Sequence, residues 1–149
     1  MWTPPYPGVV AEAWIRTDSS SSLSGRKSRD TVPEVELRRA LHALGARFRL
    51  QRRLGQACTP DLVLPRRRIA VWVDGCYWHS CPEHGRRKPF EGPNAAMWAA
   101  KLARTEVRDQ AATELAEGLG WTVVRVWEHE VKADAEAAAR RVLDTSSPL

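Results

Sequence analysis

An apolar run, Val71-Trp72-Val73, ends in Asp74 and passes directly into Gly75-Cys76-Tyr77-Trp78-His79-Ser80-Cys81-Pro82-Glu83-His84. Thiols, imidazoles and aromatic rings crowd into that short stretch. Thirteen positions before Asp74, Asp61 follows Thr59-Pro60 and precedes a second apolar run, Leu62-Val63-Leu64. Carboxylates at the ends of neighbouring strands are hard oxygen donors of the kind that hold Mg²⁺. Closely spaced Cys and His are the donors that hold zinc. Both together, on a basic chain with seven tryptophans, point to a nuclease.

Each residue has an ordinary reading beside the chemical one. The spacing Cys76-x4-Cys81-x2-His84 needs a fourth zinc ligand from elsewhere. His129 follows the run Trp121–Trp127; if that strand lies beside Ile69–Val73, His129 reaches the loop and completes a Cys2His2 tetrahedron. Otherwise Cys76 is a core thiol and the histidines are surface groups. Asp61 is placed to hold Mg²⁺, with the Val73 carbonyl as a second ligand; Asp74 is either a third ligand or a group that orients water. A turn aspartate before a strand is the common alternative for Asp61. His79 can deprotonate water or protonate a leaving oxygen near neutral pH, or serve as a further zinc ligand. Glu34 could position the attacking water, although a capping box alone explains it. Trp78 and Trp98, with Tyr77, could wedge between base pairs or pack into the core. Trp72, Trp121 and Trp127, inside strands, read as core.

The chain has 149 residues, 43% hydrophobic and 28% charged, which fits one globular domain. No apolar run approaches a membrane span, and the opening shows no signal peptide, so a cytoplasmic, nucleoid-associated protein is expected. Three cysteines cannot all pair, and a reducing compartment favours thiolate ligands. Net charge is +5. Basic residues cluster between Arg26 and Arg53, at Arg66-Arg67-Arg68 and at Arg86-Arg87-Lys88. A single cluster is ordinary solvated surface; three, expected near the metal site, favour a polyanion.

The elements that must position these groups follow from pattern. Residues 1–22, Pro-rich and then Ser-rich, read as a disordered tail ahead of a domain over 23–145; Arg26, Lys27 and Arg29 are expected to order on DNA. Thr31-Val32-Pro33-Glu34 starts a helix to about Leu44, with Gly45 as its stop. Strands are expected at 47–50, 62–64, 69–73 and 121–127. Asn94 opens a long helix to about Leu119, ended by Gly118 or Gly120, and 130–143 forms one last helix. The 75–93 loop is long enough to be functional. The order gives an α/β sandwich around a mixed sheet.

Asp30-Thr31…Glu34, Leu37-Arg38-Arg39-Ala40-Leu41, Pro60-Asp61-Leu62-Val63-Leu64, Gly75-Cys76-Tyr77-Trp78-His79, Arg108-Asp109, Gly120-Trp121 and Val126-Trp127-Glu128 together resemble the very short patch repair (Vsr) endonucleases, in the same order and at similar spacing. The resemblance implies a restriction-endonuclease fold of the PD-(D/E)xK type with a structural zinc. It implies a Mg²⁺-dependent nick in one strand of double-stranded DNA, 5′ to the thymine of a T:G mismatch left by deaminated 5-methylcytosine. By position, Asp61 matches the metal-binding aspartate, Val73 the carbonyl ligand, His79 the catalytic histidine and Glu34 the glutamate near the active-site water. Cys76 matches a zinc cysteine; Tyr77, Trp78 and Trp98 match the wedging aromatics, and Leu23 an apolar side chain that enters from the other groove. Asp74 stands where well-studied members have a second catalytic histidine. Cys81 replaces a His, His84 lies near a family Cys, and His129 replaces the Cys after Trp-Glu, so two Cys and two His remain. Val73 replaces a Thr, and the lysine of the general motif is absent, as in the family. A DNA cytosine methyltransferase and mismatch-repair proteins are candidate partners, and a monomer suffices for a single-strand nick. The alternatives are a related nuclease acting on methylated or foreign DNA, and an inactive zinc-bearing DNA-binding module.

Overall fold

The computed structural model describes residues 29–55, 58–76, 79, 81–85 and 89–145. The tail over 1–22 and the residues Leu23, Arg26, Lys27, Tyr77 and Trp78 lie outside them. Helix α1 (Val32–Ala43) starts at Thr31, whose hydroxyl accepts the Glu34 N–H, with Pro33 in the first turn. Its buried face is Leu37 and Leu41. Gly45, at φ +83°, ends it in a Schellman arrangement: Ala46 N–H reaches the Leu41 carbonyl and Gly45 N–H that of His42.

Four strands follow: β1 (Arg49–Leu50), β2 (Leu62–Leu64), β3 (Ile69–Asp74) and β4 (Thr122–Trp127). They lie in sequence order, with β1–β2 and β2–β3 antiparallel and β3–β4 parallel. The parallel step needs a crossover, supplied by α2 (Ala95–Gly118). Alternate side chains feed the two faces. Leu62, Leu64, Ile69, Val71, Val124 and Val126 pack under α1, α3 (Glu128–Ala133) and α4 (Ala135–Asp144). Val63, Ala70 and Trp121 pack under Ala116 of α2 with Leu54 and Cys58. Each fully buried Leu or Val contributes roughly 1.5–3 kcal/mol. Among the described residues no helix is long and apolar enough to cross a membrane.

Three expectations need correction. The strand expected over 47–50 shrinks to Arg49–Leu50, because β1 is an edge paired only with the short β2. The helix expected over 130–143 is two helices, starting earlier at Glu128. Asp134 divides them: its backbone is extended (φ −161°, ψ 96°) and its carboxylate accepts the Ala137 N–H, the N-cap role Asp favours over a helix interior. The Arg66–Arg68 cluster is not near Asp61 or Asp74 but in the β2–β3 turn, at the opposite end of the sheet. There Arg68 donates to the Leu119 carbonyl at the end of α2 and lies 4.7 Å over Trp121, while Arg67 donates to the Leu143 carbonyl of α4. Cations at helix C-termini satisfy orphan carbonyls.

Candidate active site and metal centre

The C-terminal end of β3 is where the chemistry gathers. The start of β2 comes alongside it because β2 runs antiparallel, and the end of β4 because β4 runs parallel. Asp61 therefore faces Val73, whose N–H donates to its Oδ2 at 2.7 Å. Burial raises the Asp61 pKa; the Val73 amide opposes this, and the charges of Glu34 and Asp74 add to it, leaving the pKa at about 7. Glu34 is 4% exposed. Its Oε2 accepts the Asp30 N–H at 2.7 Å and an Arg38 N–H at 3.4 Å. It thus holds the helix start together, through the Asp30 N–H and not the N–H of the N-cap Thr31 that a capping box uses, and its charge acts on Asp61.

Asp74, 3% exposed, projects to the α2 face. One Arg125 nitrogen, Nη1, straddles its carboxylate at 3.0 and 3.1 Å. Burial raises the Asp74 pKa, and Arg125 opposes the rise. His79, whose N–H donates to the Gly75 carbonyl, turns Nδ1 to Asp109 Oδ2 at 2.5 Å, with Asp74 Oδ1 at 3.7 Å. Burial alone would depress its pKa, but the Asp109 hydrogen bond and the Asp74 charge outweigh that and raise it. Asp74, His79 and Asp109 thus form one cluster.

Sequence reasoning missed two members of this site. Asp109 sits in mid-helix, where an acid looks like solvated surface; only its place in the Arg108-Asp109 pair marked it. Arg125 had a clearer signal: it is the one charge in Thr122–Trp127, a run otherwise fit for the core.

Beside this cluster, Cys76, Cys81, His84 and His129 bring their ligand atoms within 4.8 Å of one another. Cys76 Sγ is 3.2 Å and Cys81 Sγ 3.6 Å from His129 Nδ1, and Cys81 Sγ is 3.9 Å from His84 Nδ1. A tetrahedron with about 2.3 Å to sulfur and about 2.0 Å to nitrogen has edges of roughly 3.3–3.8 Å, so the donor set fits a metal of zinc's size. Glu83 lies 3.4 Å from His129 Nε2, and Glu128 accepts the Cys76 N–H at 3.1 Å. Carboxylates in those positions orient metal ligands. Burial raises the Cys76 pKa.

Of the remaining candidates, Arg29 is exposed. Trp98, in the first turn of α2, is half-buried, stacked on Phe90 at 6.3 Å with the Lys101 amine 5.4 Å from its ring. Trp121 is buried as expected, whereas Trp72 is half-buried under Arg125 at 4.7 Å. Cys58, for which the sequence suggests no role, is a core thiol whose Sγ approaches the Ala112 carbonyl at 3.6 Å.

A mixed α/β sheet with buried carboxylates and an imidazole at one end, beside a Cys/His cage, has the parts of a metal-assisted hydrolase, and the relatives supply the class: the protein is a DNA endonuclease. The family described as DNA mismatch endonuclease Vsr matches residues 12–83. A type II nicking enzyme, V.NaeI of Lentzea aerocolonigenes, is 42% identical over 135 residues, 88% of this chain and 78% of the relative. The type II nicking enzyme V.XorIIP of Xanthomonas oryzae pv. oryzae is 37% identical over 123 residues, 80% of this chain and 88% of the relative. The DNA mismatch endonuclease Vsr of Escherichia coli is 28% identical over 121 residues, 80% and 74% of the two chains. The chain belongs to the Vsr DNA mismatch endonuclease family.

Proposed function

We propose that the protein nicks one strand of duplex DNA 5′ to the thymine of a T:G mismatch, using Mg²⁺ at Asp61 and a structural zinc in the Cys76, Cys81, His84 and His129 cage. The observation that carries the reading is the Asp61 environment. Burial and the charges of Glu34 and Asp74 push its pKa to about 7 against the Val73 amide and His79, so a divalent cation there would displace the proton and relieve the crowded negative charge. In an extended strand a residue's N–H and C=O point to the same edge, so the Val73 carbonyl shares the β2 edge with Asp61. Oxygen donors of this kind suit Mg²⁺, and a divalent cation there would neutralise the scissile phosphate and acidify a water.

The chain's own side chains supply the rest. An aspartate oxygen can only accept, so Asp109 keeps the proton on His79 Nδ1 and leaves Nε2 for a water or a leaving oxygen. Among the described residues both Glu34 bonds fall on Oε2, and Oε1 would orient a water. Trp98, and by family position Tyr77 and Trp78, would wedge into the mismatch, and Leu23, Arg26, Lys27 and Arg29 would hold the DNA from the N-terminal side. The restriction-endonuclease type of fold is part of the same reading, supported by the mixed sheet covered on both faces. So is action as a monomer.

The nicking enzymes named above share more of their residues with this chain than the mismatch endonuclease does, which favours a second reading: the same cut with another trigger. A strand-labelled nicking assay on T:G, T:A and methylated duplexes of one sequence separates the two. The mismatch reading predicts a nick 5′ to the T of T:G alone. Equal cutting of all three overturns it.

A further inference from the structure

Arg125 is half-buried in the middle of the site by its own strand, and such a charge is costly unless its donors are met. They are met from two elements, α2 and β3. Nε donates to Thr113 Oγ1 at 3.0 Å and Nη2 to the Asp109 carbonyl at 2.8 Å, both on one face of α2. Nη1 takes both oxygens of Asp74 on β3. Its Cζ lies 4.7 Å from the centre of the Trp72 ring. The groups it joins both face one nitrogen of His79, Nδ1: Asp109 Oδ2 at 2.5 Å and Asp74 Oδ1 at 3.7 Å. Arg125 therefore sets how far Asp109 stands from Asp74, and with it the acceptors that Nδ1 of the imidazole meets. The same three groups have the composition of a cation site. With a guanidinium 3.0 Å from Asp74 and 3.9 Å from the Asp109 carboxylate, a second cation would meet a charge of its own sign.

We propose that Arg125 is a positioning residue for strand nicking: it occupies the place of a second cation in the Asp74–His79–Asp109 group and, by pinning α2 to β3 at Asp109, holds the His79 imidazole in register with the Asp61 metal site. The proposal rests on the reading in which His79 handles protons. It does not depend on which duplex is cut.

The test compares wild type, Arg125→Gln, Arg125→Lys, Asp74→Asn and the Arg125→Gln/Asp74→Asn pair. Nicking is measured on a duplex the wild type cuts, and the Nδ1 proton of His79 is followed by NMR in the DNA-free protein. Arg125→Gln should lower kcat about 10²-fold, the cost of a misplaced group, with the KM for DNA nearly unchanged. Arg125→Lys should recover part of the rate, since an amine can still reach Asp74 but not Thr113 and the Asp109 carbonyl together. The double variant should be little worse than Arg125→Gln alone. The hydrogen-bonded Nδ1 proton should be seen in wild type and be lost or broadened in Arg125→Gln. An Arg125→Gln protein that keeps this proton and its kcat while melting earlier would overturn the proposal in favour of a fold-only role. One that changes KM alone would overturn it in favour of direct phosphate binding. If wild type cut no duplex, the proposed function would fall while the NMR comparison still decided the role of Arg125.

Discussion

Two polar clusters meet at the end of β3, and they are held together in opposite ways. Around Asp74, the negative groups and His79 are laced to Arg125, Thr113 and the backbone of α2, so the cluster carries its own cation. Two residues further on, the Cys76–Cys81–His84–His129 cage has no guanidinium or amine among its donors, and burial works against the Cys76 thiolate. The first cluster should survive removal of metal; the second should not. Asp61 lies between these extremes: among the described residues it accepts one amide N–H and feels the charges of two carboxylates against that of His79.

Breaking the cage is the harshest test of this contrast. Cys76→Ala, or chelation of the wild type, should remove the cooperative melting transition or lower it steeply, because structural zinc contributes on the order of 10 kcal/mol to folding. Circular dichroism during chelator titration reads this directly, and metal analysis should find one equivalent of zinc. Asp61→Asn comes next. It should cut nicking by about 10³-fold or more while leaving the fold and the zinc content intact, since it removes a charge that acts on the reacting phosphate.

The same substitution sharpens the comparison through pH. Asp61 binds its proton more tightly folded than unfolded, so the stability it contributes is complete below about pH 4 and is lost as pH rises through about 7. In the absence of Mg²⁺, Asp61→Asn should thus leave melting at pH 4 unchanged and raise it at pH 8, by at most a few kcal/mol. Mg²⁺ should narrow that gap and bind more tightly as pH rises. A wild-type protein that melts at the same temperature as Asp61→Asn across this range would contradict the Asp61 account. The smallest effects belong to the far end of the molecule. Arg68→Ala should cost roughly 1 kcal/mol of stability without changing the salt dependence of DNA binding, because Arg68 is spent on Leu119 and Trp121. Asp134→Ala should cost about 1 kcal/mol as a lost cap.

The difference between the clusters also explains what could be read ahead of the structure. The cage is local: three of its donors lie within nine residues, and His129 follows from one assumption, that β4 lies beside β3. The mixed sheet follows from apolar runs with turn residues between them, and both helix stops at Gly45 and Gly120 from glycine's freedom at positive φ. The Asp74 cluster depends on residues 51 and 35 positions away, Arg125 and Asp109, which no spacing rule connects. The break at Asp134 was hidden because an Ala-rich helical pattern runs through it, and a single cap decides against the pattern. The arginines at 66–68 misled because composition reports charge and not which end of a sheet it occupies.

The most direct measurement is a Mg²⁺ titration of strand nicking on a T:G duplex, run on wild type and Asp61→Asn of known zinc content. The account predicts wild-type nicking 5′ to the T that rises from nothing with Mg²⁺, almost none in Asp61→Asn, and the same zinc in both throughout. Nicking by Asp61→Asn at the wild-type rate, or full activity in protein stripped of zinc, would contradict it.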